Sequence, residues 1–191
     1  MRKAFKIILA VVVAILVLFG AFTALIFGDL AAFTATGSRT LSPSGASTGN
    51  ALVVYDPGLS GAATKVATKI AQDLQSSGYT VTLAGISSHA ASNVADKSIV
   101  VVGGPVYAGA LTGSVKNYLS KLPSKLTVAP DNVGVFGSGQ GPTSPSDVSA
   151  IKDSAPQLKD GGSLSQAIVV KIGQTENLDS RASDLVAQVT M

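Results

Sequence analysis

Five short runs rich in Val, Ile, Leu and Ala, with helical stripes between several of them, leave the C-terminal part of this chain few folds to choose from. ALVVY (51–55), SIVVVGG (98–104), NVGVFG (132–137) and AIVVKI (167–172) are continuous apolar stretches of strand length, and YTVTLA (79–84) alternates as a strand does. Between the first two lie Val66, Ile70 and Leu74, one apolar face at helical spacing, ended by Ser77-Gly78. Leu111, Val115, Leu119 and Leu122 make a second stripe, stopped by Pro123, and Leu178, Ala182, Leu185, Val186 and Val189 a last one. Strands that read as unbroken apolar runs are buried on both faces, which requires helices above and below a parallel sheet. The expectation is therefore one doubly wound α/β domain over residues 51–191, with five parallel strands. The segment 86–97 is polar and Ala-rich and predicts a short or ragged helix. Ser144 to Leu158, with Pro145 and Pro156, predicts a weak one.

The N-terminus obeys different rules. Ile7 to Phe27 carries no charge and only Gly20 and Thr23 interrupt its apolar character. As a helix it would rise about 31 Å, enough for a hydrocarbon core of about 30 Å. A cleavable signal peptide is the competing reading, with AAFTATG (31–37) as its cleavage region, but such apolar centres are normally shorter. The division expected is a basic tail at 1–6, a transmembrane helix at 7–28, a linker at 29–50 and the α/β domain beyond. TGSRTLSPSGASTGN (36–50) has too little apolar surface to order itself and reads as a flexible tether with a reach of roughly 20 Å.

Charge bears on topology more than on partners. Of 14 basic residues, Arg2, Lys3 and Lys6 precede the span, which leaves 11 against the 11 acidic residues that all follow it. A neutral domain with no basic patch gives no nucleic-acid footprint. The positive-inside rule keeps the N-terminus in the cytoplasm and sends the C-terminal domain to the far side, as a single-pass membrane protein. The chain has no cysteine, so disulfides and thiolate chemistry are excluded. His89 is the single histidine, in a polar stretch (SSHAAS), and Glu176 the single glutamate. No metal cluster or catalytic acid–base pair is expected from these residues.

In an open parallel sheet, ligands bind beyond the carboxyl ends of the strands. Three glycine-rich loops lie there. YDPGLSGAATKVA (55–67) contains Gly58, Leu59, Ser60, Gly61, Ala62, Ala63 and Thr64, a turn into a helix whose amides can face a phosphate; a plain strand-to-helix turn is the other reading. GGPVYAGALTG (103–113) places Pro105, Val106, Tyr107, Ala108 and Gly109 after a Gly-Gly-Pro turn, with an aromatic ring suited to stacking. GSGQGPTSP (137–145) places Gly137, Ser138, Gly139, Gln140 and Gly141 on a rim with few side chains.

These three loops, in this order, are where the chain resembles the flavodoxin family, over roughly residues 51–190. It is similar to flavodoxin-like quinone- or NAD(P)H-linked reductases around VVGGPVYAGALTGSVKNYLSKL. The resemblance implies the strand order 2-1-3-4-5, and FMN as cofactor, its phosphate at Ser60, Gly61 and Thr64. It also implies ring contacts at Pro105, Val106, Tyr107, Ala108, Gly109 and Gly137 to Gly141. It further implies electron transfer or, if the protein is an enzyme, an FMN-dependent oxidoreductase, with a membrane quinone or a redox protein as partner. The first loop departs from the family's Thr/Ser-x-Thr-Gly-x-Thr pattern: it has fewer hydroxyls, and Asp56 at its start would repel a phosphate dianion if it pointed inward. A flavodoxin-like binding or scaffold module that has lost flavin is therefore the alternative.

Overall fold

The computed structural model describes residues 2–27, 30–126, 129 and 132–191. The expected boundary between span and linker, at residues 28 and 29, lies outside them. Helix α1 (Arg2–Phe27) includes an apolar window, Phe5–Thr23, none of which is buried. By length and composition it is able to cross a membrane. A single helical turn and a half, α2 (Leu30–Thr34), follows.

The domain is a mostly parallel sheet built from β1 (Ser38–Leu41), β2 (Gly49–Tyr55), β3 (Tyr79–Gly85), β4 (Ile99–Tyr107), β6 (Val133–Gly139) and β7 (Ile168–Gly173). Their order is β1-β3-β2-β4-β6-β7, with the two-residue β5 (Ala110–Leu111) hairpinned onto β4. The five strands expected from the sequence hold the order 2-1-3-4-5 among themselves, so the doubly wound reading is correct. Helices α3 (Ala62–Ser76) and α6 (Leu178–Val189) cover one face, where Val66, Ile70 and Leu74 meet Leu185 and Val189 over Val53 and Val101. Helices α4 (Gly113–Lys121) and α5 (Pro145–Ser154) cover the other, with Val115, Leu119 and Ile151 over Val54, Val102 and Val135. Helix α5 starts in a capping box between Ser144 and Asp147, which secures it despite weak amphipathicity. The stretch 86–97 retains only a 3-10 turn, His89–Ser92.

The expected flexible tether is where the structure departs most. Residues 38–41 form an antiparallel edge strand on β3, with Ser38 opposite Ala84 and Leu41 opposite Val81. Further along, Ser47 Oγ accepts the Thr80 amide at 3.1 Å, and the Thr48 amide donates to Gly78 O at 2.9 Å. The composition is that of a linker, but the ladder needs only backbone groups on an open sheet edge, which side-chain pattern does not report.

Candidate functional site

The first loop begins at Asp56, which is buried beneath the turn. Its Oδ1 accepts the Gly58 amide at 2.9 Å, and its Oδ2 accepts the hydroxyls of Thr112 at 2.8 Å and Ser114 at 2.6 Å. Thr112 is the N-cap of α4, so the carboxylate sits at the positive end of that helix dipole, across the sheet from α3. Asp56 therefore closes the loop and does not stand against a phosphate at α3, contrary to the repulsion considered from sequence. Gly58 and Gly61 both adopt positive φ, 60° and 68°. Gly58 also packs so closely that a Cβ would meet Pro105 Cγ at 2.7 Å. Gly61 is the N-cap of α3 and has no side-chain cap, which leaves the first-turn amides of Ala63 and Thr64 without an intrahelical acceptor.

The second loop is not a loop until later than expected. The chain does not turn at Gly103-Gly104-Pro105; β4 runs on through Tyr107 and reverses over Ala108-Gly109, with Tyr107 opposite Ala110. Both turn residues have positive φ, 49° and 80°, the signature of a two-residue type I′ hairpin. The two glycines serve close packing: a Cβ on Gly103 would lie 2.3 Å from Phe136, and one on Gly104 would lie 2.9 Å from both Asp56 Cβ and Val115 Cγ2. The third loop likewise starts late. Gly137, Ser138 and Gly139 are buried strand residues, and a Cβ on Gly137 would strike Val106 Cγ2 at 2.4 Å. Gln140 and Gly141 follow at the rim, Gly141 with φ 71°.

Between the hairpin and the third loop opens a cleft of about 680 Å³. Leu59, Ser60, Pro105, Val106, Tyr107, Ala108, Gly109, Ser138, Gly139 and Gln140 line it, so ten of the residues singled out by sequence come together. Leu59 stands exposed at the rim, its amide facing Tyr107 Oη at 3.4 Å. A smaller pocket shares Ser60 and Ser138 with the cleft and reaches Ala62 and Lys65 at the start of α3. The remaining residues do other work. Gly58 and Gly61 shape the turn, and Ala63 has its methyl in the core. Gly137 packs beneath Val106, and Gly141 approaches Gly173. Thr64 lines a separate groove with Arg39, Tyr55 and Thr68, so its side chain is not among those lining the cleft.

Sequence reasoning missed Lys171, Asp147, Gln174 and Phe22, which also line the cleft. Lys171 Nζ, buried beside Gly139, pairs with Asp147 Oδ2 at 3.1 Å and donates to Pro142 O at 3.3 Å. A lysine inside the apolar run AIVVKI was the available signal, because a buried ammonium requires a partner. The capping bonds from Ser144, together with Lys171, hold the Asp147 carboxyl below the usual carboxylate range. Glu176 fastens the third loop to the end of β7, accepting from the Gly173 amide at 2.6 Å and from Thr143 Oγ1 at 2.7 Å. Burial pushes its pKa up, but the Thr143 and Gly173 donors outweigh this and hold it below the usual glutamate range.

The sequence profile of the flavodoxin domain matches residues 53–158, more than half of the chain. No curated protein matches it in sequence. In structure the chain is similar to rubredoxin oxygen:oxidoreductase from Desulfovibrio gigas, with TM-score 0.52 and 16% identity, over 75% of this chain and 36% of that one. It is also similar to the apo form of an NADH:FMN oxidoreductase, EmoB, with TM-score 0.51 and 15% identity, over 74% of this chain and 88% of that one. A flavodiiron core from Synechocystis aligns with TM-score 0.48 and 17% identity, over 74% of this chain and 34% of that one. The chain thus spans about a third of the length of the first and last of these.

Proposed function

The chain belongs to the flavodoxin family, and from that premise we propose that it is a membrane-tethered FMN-binding protein of electron transfer or quinone- or NAD(P)H-linked reduction. The observation that carries this reading is the uncapped start of α3 beside the cleft, with the Asp56 carboxylate engaged at α4 instead. The residues present fit the cofactor. A phosphate dianion finds free amides at a helix N-terminus, with Ser60 beside them. A cleft of this size, walled by Tyr107 and floored by a lysine neutralised by Asp147, suits an uncharged planar ring. When bound, FMN would supply one- and two-electron redox chemistry, and the protein position and electrostatics. Ser60 and the α3 amides would hold the phosphate, Tyr107 and Val106 would flank the ring, and Gln140 would close the rim. The type I′ hairpin and the Glu176 staple keep these walls fixed relative to each other.

One observation favours the alternative, a flavin-free binding module. The Gly58, Leu59 and Ala62 amides already face protein acceptors, at 2.9, 3.4 and 3.4 Å. The two longer contacts are weak enough for a phosphate to displace them. Purifying the full chain from membranes separates the readings: a yellow preparation that releases FMN on denaturation supports the first. A colourless one whose addition leaves FMN fluorescence unquenched defeats it. We further propose the outward topology given by Arg2, Lys3 and Lys6. A cysteine at exposed Ser163 should react with an impermeant reagent on intact cells, and labelling only after lysis would reverse the assignment.

A further inference from the structure

The chain leaving α1 is fastened to the domain almost at once. Ser87 Oγ donates to Ala32 O at 2.7 Å, the Ser87 amide to Ala35 O at 3.0 Å, and the Gly85 amide to Gly37 O at 2.9 Å. Ala32 and Ala35 are buried, and Gly85 fits against them only for lack of a side chain, since a Cβ there would lie 2.3 Å from Ala35 O. All these contacts are at the carboxyl end of β3. Strand β1 then runs antiparallel to β3 and leads away from that end. From Thr23, the last residue of the apolar window, the chain to Ala32 completes α1 and passes into α2. It therefore spans about 20 Å at most. The headgroup layer takes up about 5–8 Å of that distance.

The carboxyl end of the sheet is also where the cleft opens. Among the described residues outside α1, the large hydrophobic side chains left exposed are Phe33, Leu59 and the terminal Met191. Phe33 lies in α2 and Leu59 on the cleft rim, so two of the three are at this one end. Phe22, near the end of the apolar window, contributes to the lining of the cleft itself.

We propose that the rim of the cleft, with Phe33 and Leu59, rests on the surface of the bilayer that α1 crosses. The cleft then opens toward lipid. This rests on reading α1 as a membrane span and does not depend on flavin. The short stalk, fixed by Ser87 and Gly85, holds this end of the domain down, and the two exposed apolar side chains enter the interfacial layer. A ligand dissolved in the bilayer reaches the cleft without crossing bulk water.

The absence of cysteine makes the test direct. Single-cysteine variants Leu59→Cys and Ser77→Cys, both at exposed positions, place a reporter at the two ends of α3, which is about 22 Å long. The full chain carrying an environment-sensitive fluorophore is reconstituted into phosphatidylcholine vesicles containing lipids with a nitroxide near the glycerol backbone. The position-59 reporter is expected to be quenched at least twofold more than the position-77 reporter, and Ser60→Cys is expected to repeat the result. Equal quenching at both ends in a chain that floats with the vesicles leaves the span intact and overturns the docked rim. A chain that fails to float overturns the span reading and the proposal with it.

Discussion

Replacing Asp56 tests whether this carboxylate is a structural clasp or an obstacle to phosphate. In Asp56→Ala, the Gly58 amide and the hydroxyls of Thr112 and Ser114 lose a charged acceptor, each such bond being worth about 1.5–3 kcal/mol. The simple sum overstates the cost, because the two hydroxyls lie 3.1 Å apart and can bond each other. The net loss should be about 3–5 kcal/mol, shared between the part-buried Gly58 amide left without an acceptor and the lost charged acceptor of the two hydroxyls. In Asp56→Asn, the amide oxygen still accepts from Gly58 and the new N–H group donates to hydroxyls free to rotate. Only charge assistance and the dipole contribution of α4 are lost, and the cost falls to about 1–2 kcal/mol. Urea unfolding followed by circular dichroism on residues 30–191 reads both values, since every core residue identified lies at or beyond Ala32. An alanine variant within about 1 kcal/mol of the parent, or an asparagine variant as costly as alanine, would refute the clasp. FMN titration gives an independent sign. Asp56→Asn should leave affinity within about threefold, whereas a carboxylate facing the phosphate would give a gain of about tenfold or more when neutralised.

Gly137→Ala should cost about 1–3 kcal/mol in the same unfolding assay and weaken FMN binding, because its methyl displaces Val106 from the cleft wall; unchanged stability would show the strand relaxes freely. Ala108→Asn should stabilise by about 0.5–1 kcal/mol, since Asn-Gly suits the positive φ values of this hairpin and alanine does not; a lower melting temperature would contradict it. The lowered pKa of Glu176 means that the unfolded chain binds the extra proton first as pH falls. Its stabilisation is therefore complete above the usual glutamate range and lost as pH drops through the folded-state value. Glu176→Gln should cost about 1–2 kcal/mol at neutral pH and flatten the acid limb of the stability profile, and an unaltered acid limb would remove Glu176 from the account.

The strands were legible because burial on both faces writes itself as apolar runs, whereas their order came only with the resemblance to the flavodoxin family. Helix α3 was legible through Val66, Ile70 and Leu74, and α5 only in part, because its apolar face is thin and what secures it is the capping box between Ser144 and Asp147 that the structure shows. Glycine was the ambiguous letter. Gly103, Gly104 and Gly137 read as turn or rim residues, but each lies in a strand where Phe136, Val115 or Val106 leaves no room for a Cβ. Strand β1 was hidden because SRTL is held by backbone bonds to β3, which its polar side chains do not announce. The cleft's loops could be named from sequence, but the Lys171–Asp147 pair on its floor joins residues 24 apart in the chain and appears only in three dimensions.

The central claim is that the start of α3 holds a phosphate, and the most direct measurement compares FMN with riboflavin, which lacks that group, by fluorescence quenching on the same protein. The account predicts that FMN binds at least about tenfold more tightly, a difference of about 1.4 kcal/mol or more. Equal affinities for the two flavins, or quenching by neither, would contradict it.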